Sequence, residues 1–146
     1  MIGTDLLNQH QFRFGFSWML LSVALMLHVT DEALTDFLSV YKATVQAIRK
    51  RVPFLPLPTF TFRVWVTGLS VGILVAFGLS ILAFRGSRLA LVLAYPVALL
   101  MFGNGIGHIL ASLYRRRVMP GTYSSPLLVA ASVYLFICAQ ALTHRS

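Results

Sequence analysis

Few side chains in this sequence can do acid–base or metal chemistry, and those few cluster. The chain holds 4 acidic residues and 4 histidines, and three of these eight fall within His28-Val29-Thr30-Asp31-Glu32. On a continuous helix, spacings of three and four residues put His28 on one face with Asp31 and Glu32. A second group, Asn104 and His108, has the same four-residue step, and Ser112 and Arg115 extend it into a polar stripe. Two neutral imidazoles and a carboxylate suit Zn²⁺ or Fe²⁺, with positions left open for water or substrate. His28, Glu32 and His108 are therefore the expected metal ligands, with Asp31 and Asn104 orienting them. Without a metal, Glu32, His108 and Asp31 are the candidate acid–base groups. Arg115, with Asn104, is the candidate substrate-binding pair; its guanidinium can hold an anionic head group or phosphate bidentately.

The elements that must position these groups are membrane helices. Of 146 residues, 58% are hydrophobic and only 11% charged, against about 25% charged in a soluble domain. Mean hydropathy is +0.79. These values point to an all-α, polytopic membrane helix bundle forming one domain over residues 1–146. The net charge of +8 does not point to nucleic acid, because the basic residues flank apolar runs; positive-inside flanking and anionic head groups account for them. The single cysteine, Cys138, excludes an internal disulfide.

Four apolar runs read as spans at about 12–30, 60–84, 89–114 and 126–142, after a short polar tail. The first lacks a cleavage site and meets the His–acid cluster instead, so it reads as a retained helix. Residues 31–52 have apolar positions at helical spacing and a basic end, the pattern of an amphipathic helix lying on the membrane surface. Pro53, Pro56 and Pro58 make a stiff connector. Gly68, Gly72, Ala76 and Ser80 form a small-residue stripe for close helix approach, within the bundle or in a homo-oligomer.

An up-down order of four spans makes the first and third run the same way. His28–Glu32 and Asn104–His108 should then lie at similar depth near one face. Lys42, Arg49, Lys50, Arg51, Arg63 and Arg115–Arg117 lie on that side, and Arg13, Arg85, Arg88 and Arg145 on the other. The bias places the first and third connections in the cytoplasm.

Plainer readings exist for each feature. Asp31 and Glu32 can simply open the amphipathic helix, where acids favour the dipole. Asn104 and His108 can serve as interhelical hydrogen bonds, Arg115–Arg117 as topological flanking, and Pro120-Gly121 as a turn. Gly103-Asn104-Gly105-Ile106-Gly107 has the wrong spacing for a dinucleotide loop and no preceding strand. No nucleophile elbow supports a catalytic serine.

The order His28-x-x-Asp31-Glu32, Asn104-x-x-x-His108, then Arg117 followed by Pro120-Gly121 resembles the HXXEE-domain family of small bacterial membrane proteins. Asp31 departs from the motif, which has glutamate there; aspartate keeps the charge and shortens the reach. The resemblance implies a helical domain in a bacterial inner membrane and names no reaction. The site itself suggests a metal-dependent, hydrolase-like enzyme acting on a lipid or amphipathic substrate. A metal-free lipid isomerase or small proton-coupled transporter is one alternative, and a structural subunit another. A shared metal requires side-chain atoms of His28, Glu32 and His108 to converge on one point about 2.0–2.2 Å away.

Overall fold

The computed structural model describes residues 2–144, with side chains from Asn8 onward. Five helices follow in order: α1 (Ile2–Leu34), α2 (Phe37–Arg51), α3 (Phe62–Phe84), α4 (Arg88–Arg115) and α5 (Ser125–Thr143). No strand occurs among the described residues. Four helices are long and apolar enough to cross a membrane: Asn8–Leu34 within α1, and the whole of α3, α4 and α5. At 15 residues, α2 is about 22 Å long, too short for a hydrocarbon core of about 30 Å.

Helix α1 packs against both α3 and α5, and α4 packs against α5. The inward face of α1 can be read from its spacing. Phe14, Trp18 and Leu21 are buried, and Leu25 packs against the same core. The alternating steps of three and four then arrive at His28 and Glu32, also buried. The periodicity that drives Phe14 and Trp18 into the core thus carries an imidazole and a carboxylate inward.

Two boundaries differ from the sequence reading. Helix α1 begins at Ile2 rather than about residue 12, because residues 2–11 contain no proline and only one glycine, so nothing interrupts the helix. At its other end it runs to Leu34, so Asp31 and Glu32 lie in its last turn and do not open an amphipathic helix. Acids are disfavoured at that end by the helix dipole, and another interaction must hold them there. The break falls at Asp36, in the left-handed conformation with φ 56°, which aspartate tolerates better than most residues. Ser39 Oγ donates to Asp36 Oδ1 across the break at 2.9 Å.

Helix α2 turns back over the end of the bundle. Leu38 and Val45 are its buried residues, and Phe37 lies 5.9 Å from Trp65 of α3, centroid to centroid. Tyr41 Oη donates to the Pro58 carbonyl at 2.8 Å, and Arg49 donates to the Leu57 carbonyl. These two contacts clip the proline-rich connector to α2.

The small-residue stripes are used unevenly. On α3, Ala76 and Ser80 are buried, whereas a Cβ added at Gly68 or Gly72 would meet nothing within 4 Å. On α4 the buried positions are Ala90, Ala94, Ala98 and Gly105. Gly105 is the tight point: a Cβ there would lie 2.7 Å from Val129 Cγ2 and 3.1 Å from the Ser125 carbonyl oxygen. Gly105→Ala is therefore expected to lower stability by about 1–3 kcal/mol through overpacking. Gly103→Ala, with open space around it, should be neutral or stabilising by up to about 1 kcal/mol. Thermal unfolding of the two variants in one detergent checks the contrast.

Candidate metal centre

The last turn of α1, the C-terminal third of α4 and the turn between α4 and α5 meet at one end of the bundle. His28 and Glu32 come from α1, and His108 from α4. His108 Nε2 lies 3.0 Å from Glu32 Oε1, and His28 Nε2 lies 3.7 Å from the same oxygen. One ligand atom from each residue falls within 4.8 Å of the others. The two imidazole rings meet edge to face, with centroids 4.9 Å apart. His28 is fully buried and Glu32 is 5% exposed.

The hydrogen bonds around this trio determine where its protons sit. Asp31 Oδ2 accepts from both the backbone N–H of Ser124, at 3.0 Å, and its hydroxyl, at 2.8 Å. The hydroxyl has one proton, and it points at Asp31. His28 Nδ1, 2.9 Å from Ser124 Oγ, must therefore donate to that oxygen. Asn104 Nδ2 donates to His28 Nε2 at 3.1 Å, which requires the same tautomer. His108 Nδ1 is 2.6 Å from the Pro120 carbonyl, an acceptor only, so it too is protonated. Both Nδ1 protons are thus held by the surrounding protein, and both Nε2 atoms face Glu32. Histidine metal ligands are commonly oriented in this way, by a carboxylate, hydroxyl or carbonyl on the distal nitrogen.

Asp31 also takes up the exposed positive end of α5, of which Ser124 is the N-cap; an anion there satisfies an orphan N–H and meets the dipole. This is the interaction that offsets the unfavourable placement of an acid at the end of α1. Ser124 lies between histidine and aspartate, whereas a catalytic triad has histidine in the middle. Its hydroxyl links the two and is no nucleophile.

The turn between α4 and α5 is a working part of the site, and reading Pro120-Gly121 as a plain turn understated it. Met119 and Pro120 are buried against the bundle. Ser112 Oγ hydrogen bonds with Thr122 Oγ1 at 2.6 Å and accepts from the Met119 N–H at 2.9 Å. Ser125 Oγ donates to the Gly121 carbonyl at 2.6 Å. Gly121 itself has φ 81°, and a Cβ there would lie 2.9 Å from His108 Nδ1 and 3.1 Å from Glu32 Cγ. Only glycine fits both the conformation and the space.

The residues expected from sequence are distributed as follows. His28, Glu32 and His108 converge, with Asn104 bonded to His28. Asp31 faces Ser124, reaching the trio through His28. Arg115 lies apart from them, lining a groove of about 360 Å³ that runs between α2 and α4 past His108 and Asn104. Phe37 leans on His108 there, with ring centroids 5.6 Å apart. Ser124, Gly121 and the Pro120 carbonyl were not singled out by sequence reasoning. The Pro120-Gly121 pair in the motif order was the one signal pointing to them.

Among the described residues the chain is all-helical, with four membrane-length helices and a buried His/Glu cluster at one end. It belongs to the HXXEE family, described as a protein of unknown function with HXXEE motif, which matches residues 18–135. No curated protein and no solved structure matches the chain. Gly121→Ala should cost at least about 1–3 kcal/mol of stability, from left-handed strain and the contact with His108. A thermal unfolding scan against the wild type measures it, and an unchanged midpoint would show that the turn is not packed on the site.

Proposed function

We propose that this protein is a membrane-embedded, metal-dependent enzyme, hydrolase-like, acting on a lipid or other amphipathic substrate at the cytoplasmic face. One observation carries the reading: a ligand atom from each of His28, Glu32 and His108 lies within 4.8 Å of the others, with the Nε2 edges of both imidazoles turned to Glu32 Oε1. Three such acceptors repel unless a cation or a proton lies among them. Tetrahedral ligands about 2.1 Å from an ion are about 3.4 Å apart, and the separations of 3.0 and 3.7 Å from Glu32 Oε1 bracket that value.

His28, Glu32 and His108 would hold Zn²⁺ or Fe²⁺, set in orientation by Ser124, Asp31 and the Pro120 carbonyl. A bound ion would supply a Lewis acid for an ester or phosphoryl oxygen and a means of activating water. Asn104 donates to the His28 lone pair that an ion would take, and its amide would then be free to hold a substrate oxygen. The basic residues on this end of the bundle support a cytoplasmic location in a bacterial inner membrane.

A second reading has an observation of its own. The 3.0 Å His108–Glu32 separation is also a hydrogen-bond length, so a shared proton can replace the cation. The protein would then be a metal-free lipid isomerase or a small proton-coupled transporter.

Elemental analysis of the detergent-purified chain separates the two. The metal reading expects about one ion per chain in the wild type, lost in His28→Ala and in His108→Ala. Ser124→Ala should weaken metal affinity by about 10–100-fold, whereas Asn104→Ala should retain the ion. A well-folded wild type from metal-replete cells that holds no metal would overturn this reading in favour of the shared proton.

A further inference from the structure

The groove beside His108 does not end at Arg115. A second hollow, lined by Arg51, Arg115 and Arg117, shares Val40, Thr44 and Arg115 with the first. Together they form one slot between α2 and α4, running from Asn104 and His108 to three exposed guanidinium groups. Its inner walls are apolar or small: Phe37, Val40, Tyr41, Gly103, Gly107 and Ala111. A Cβ added at Gly103 or Gly107 would meet nothing within 4 Å, so these glycines widen the slot and do not seat a helix of this chain.

The charge of the mouth is uncompensated. Among the described residues, the carboxylates in ion pairs bond only to histidine, and no acid lines either hollow. Arg49, by contrast, is taken by the Leu57 carbonyl. Arginine's fork suits phosphate oxygens, and such bonds are about twice as strong as neutral ones. Arg115 follows His108 by seven residues, about 10 Å along the helix. The polar layer of a bilayer is about 5–8 Å deep on each side. A phosphate at the arginines therefore puts the ester groups of the same lipid between them and His108, and its chains in the apolar part of the slot.

We infer that this slot binds an anionic phospholipid, its phosphate among Arg51, Arg115 and Arg117 and an acyl chain between α2 and α4. The charge at the mouth and the apolar walls below it fit one amphipathic molecule. Only the further step, that this lipid is the substrate, rests on the metal-dependent reading above.

Native mass spectrometry of the detergent-solubilised full chain, titrated with phosphatidylglycerol and with phosphatidylcholine of matched chains, tests the inference. Phosphatidylglycerol should bind about tenfold tighter. Arg51→Gln/Arg115→Gln/Arg117→Gln together should abolish that preference, while Arg85→Gln/Arg88→Gln at the opposite end should keep it. Gly107→Leu, a change into open space, should weaken binding of both lipids by about tenfold while leaving the response to inorganic phosphate unchanged. A preference that persists in the triple arginine variant, or none in the wild type, overturns the inference. So does Gly107→Leu binding lipid normally while inorganic phosphate competes, which would indicate a free-phosphate site. Metal content is read on the same samples. A metal-free wild type that still prefers phosphatidylglycerol sinks the enzyme reading alone, and a metal-loaded one without preference sinks the lipid slot alone.

Discussion

A carboxylate buried between two imidazoles governs the end of the bundle where α1, α4 and α5 meet. Removing an ionised group from water is costly unless it is paired and hydrogen-bonded, and Glu32 is 5% exposed. What forces it inward is packing: the apolar face of α1 that begins at Phe14 and Trp18 runs on through His28 to Glu32. The surroundings then have to satisfy it. His108 comes from α4, and the α4–α5 turn folds in to hold the far nitrogen of that ring. Asp31, one residue earlier, points elsewhere and holds the start of α5. Two adjacent acids thus do separate jobs, one facing the cluster and one joining helices.

Much of this is legible in the sequence. His28 and Glu32 share a face because four residues is about one helical turn, and His108 shares their depth because the first and third spans run the same way. Composition was enough for the four spans. Ser124 was not legible, since nothing in Tyr123-Ser124-Ser125-Pro126 says that a hydroxyl will sit between two residues over ninety positions upstream. Nor was the end of α1. Without proline or glycine near residue 31, only the left-handed turn at Asp36 marks the break, and aspartate carries weak local information. The packing of α4 turned on Gly105, which looks no different in sequence from Gly103 and Gly107 beside it.

The residue at position 31 shows how tightly the helices are matched. Asp31 Oδ2 receives the N–H and O–H of Ser124 at 3.0 and 2.8 Å, so the distance between α1 and the start of α5 is set by an aspartate's length. The family motif has glutamate there. One more methylene would require α5 to begin farther from α1, or the side chain to fold back on itself. This position and the docking of α5 are coupled, and a change at one calls for a change at the other.

The connection between His28 and Ser124 spans 96 residues of sequence, and that separation has a consequence for how the protein is made. At roughly 5–20 residues per second, His28 is synthesised on the order of 5–20 s before Ser124. Through that interval His28 and Glu32 have neither the turn that holds His108 nor the hydroxyl that fixes the imidazole. The cluster is therefore completed only when the α4–α5 turn arrives. A nascent chain halted before residue 124 would carry His28, Glu32 and His108 without the hydroxyl that links His28 to Asp31.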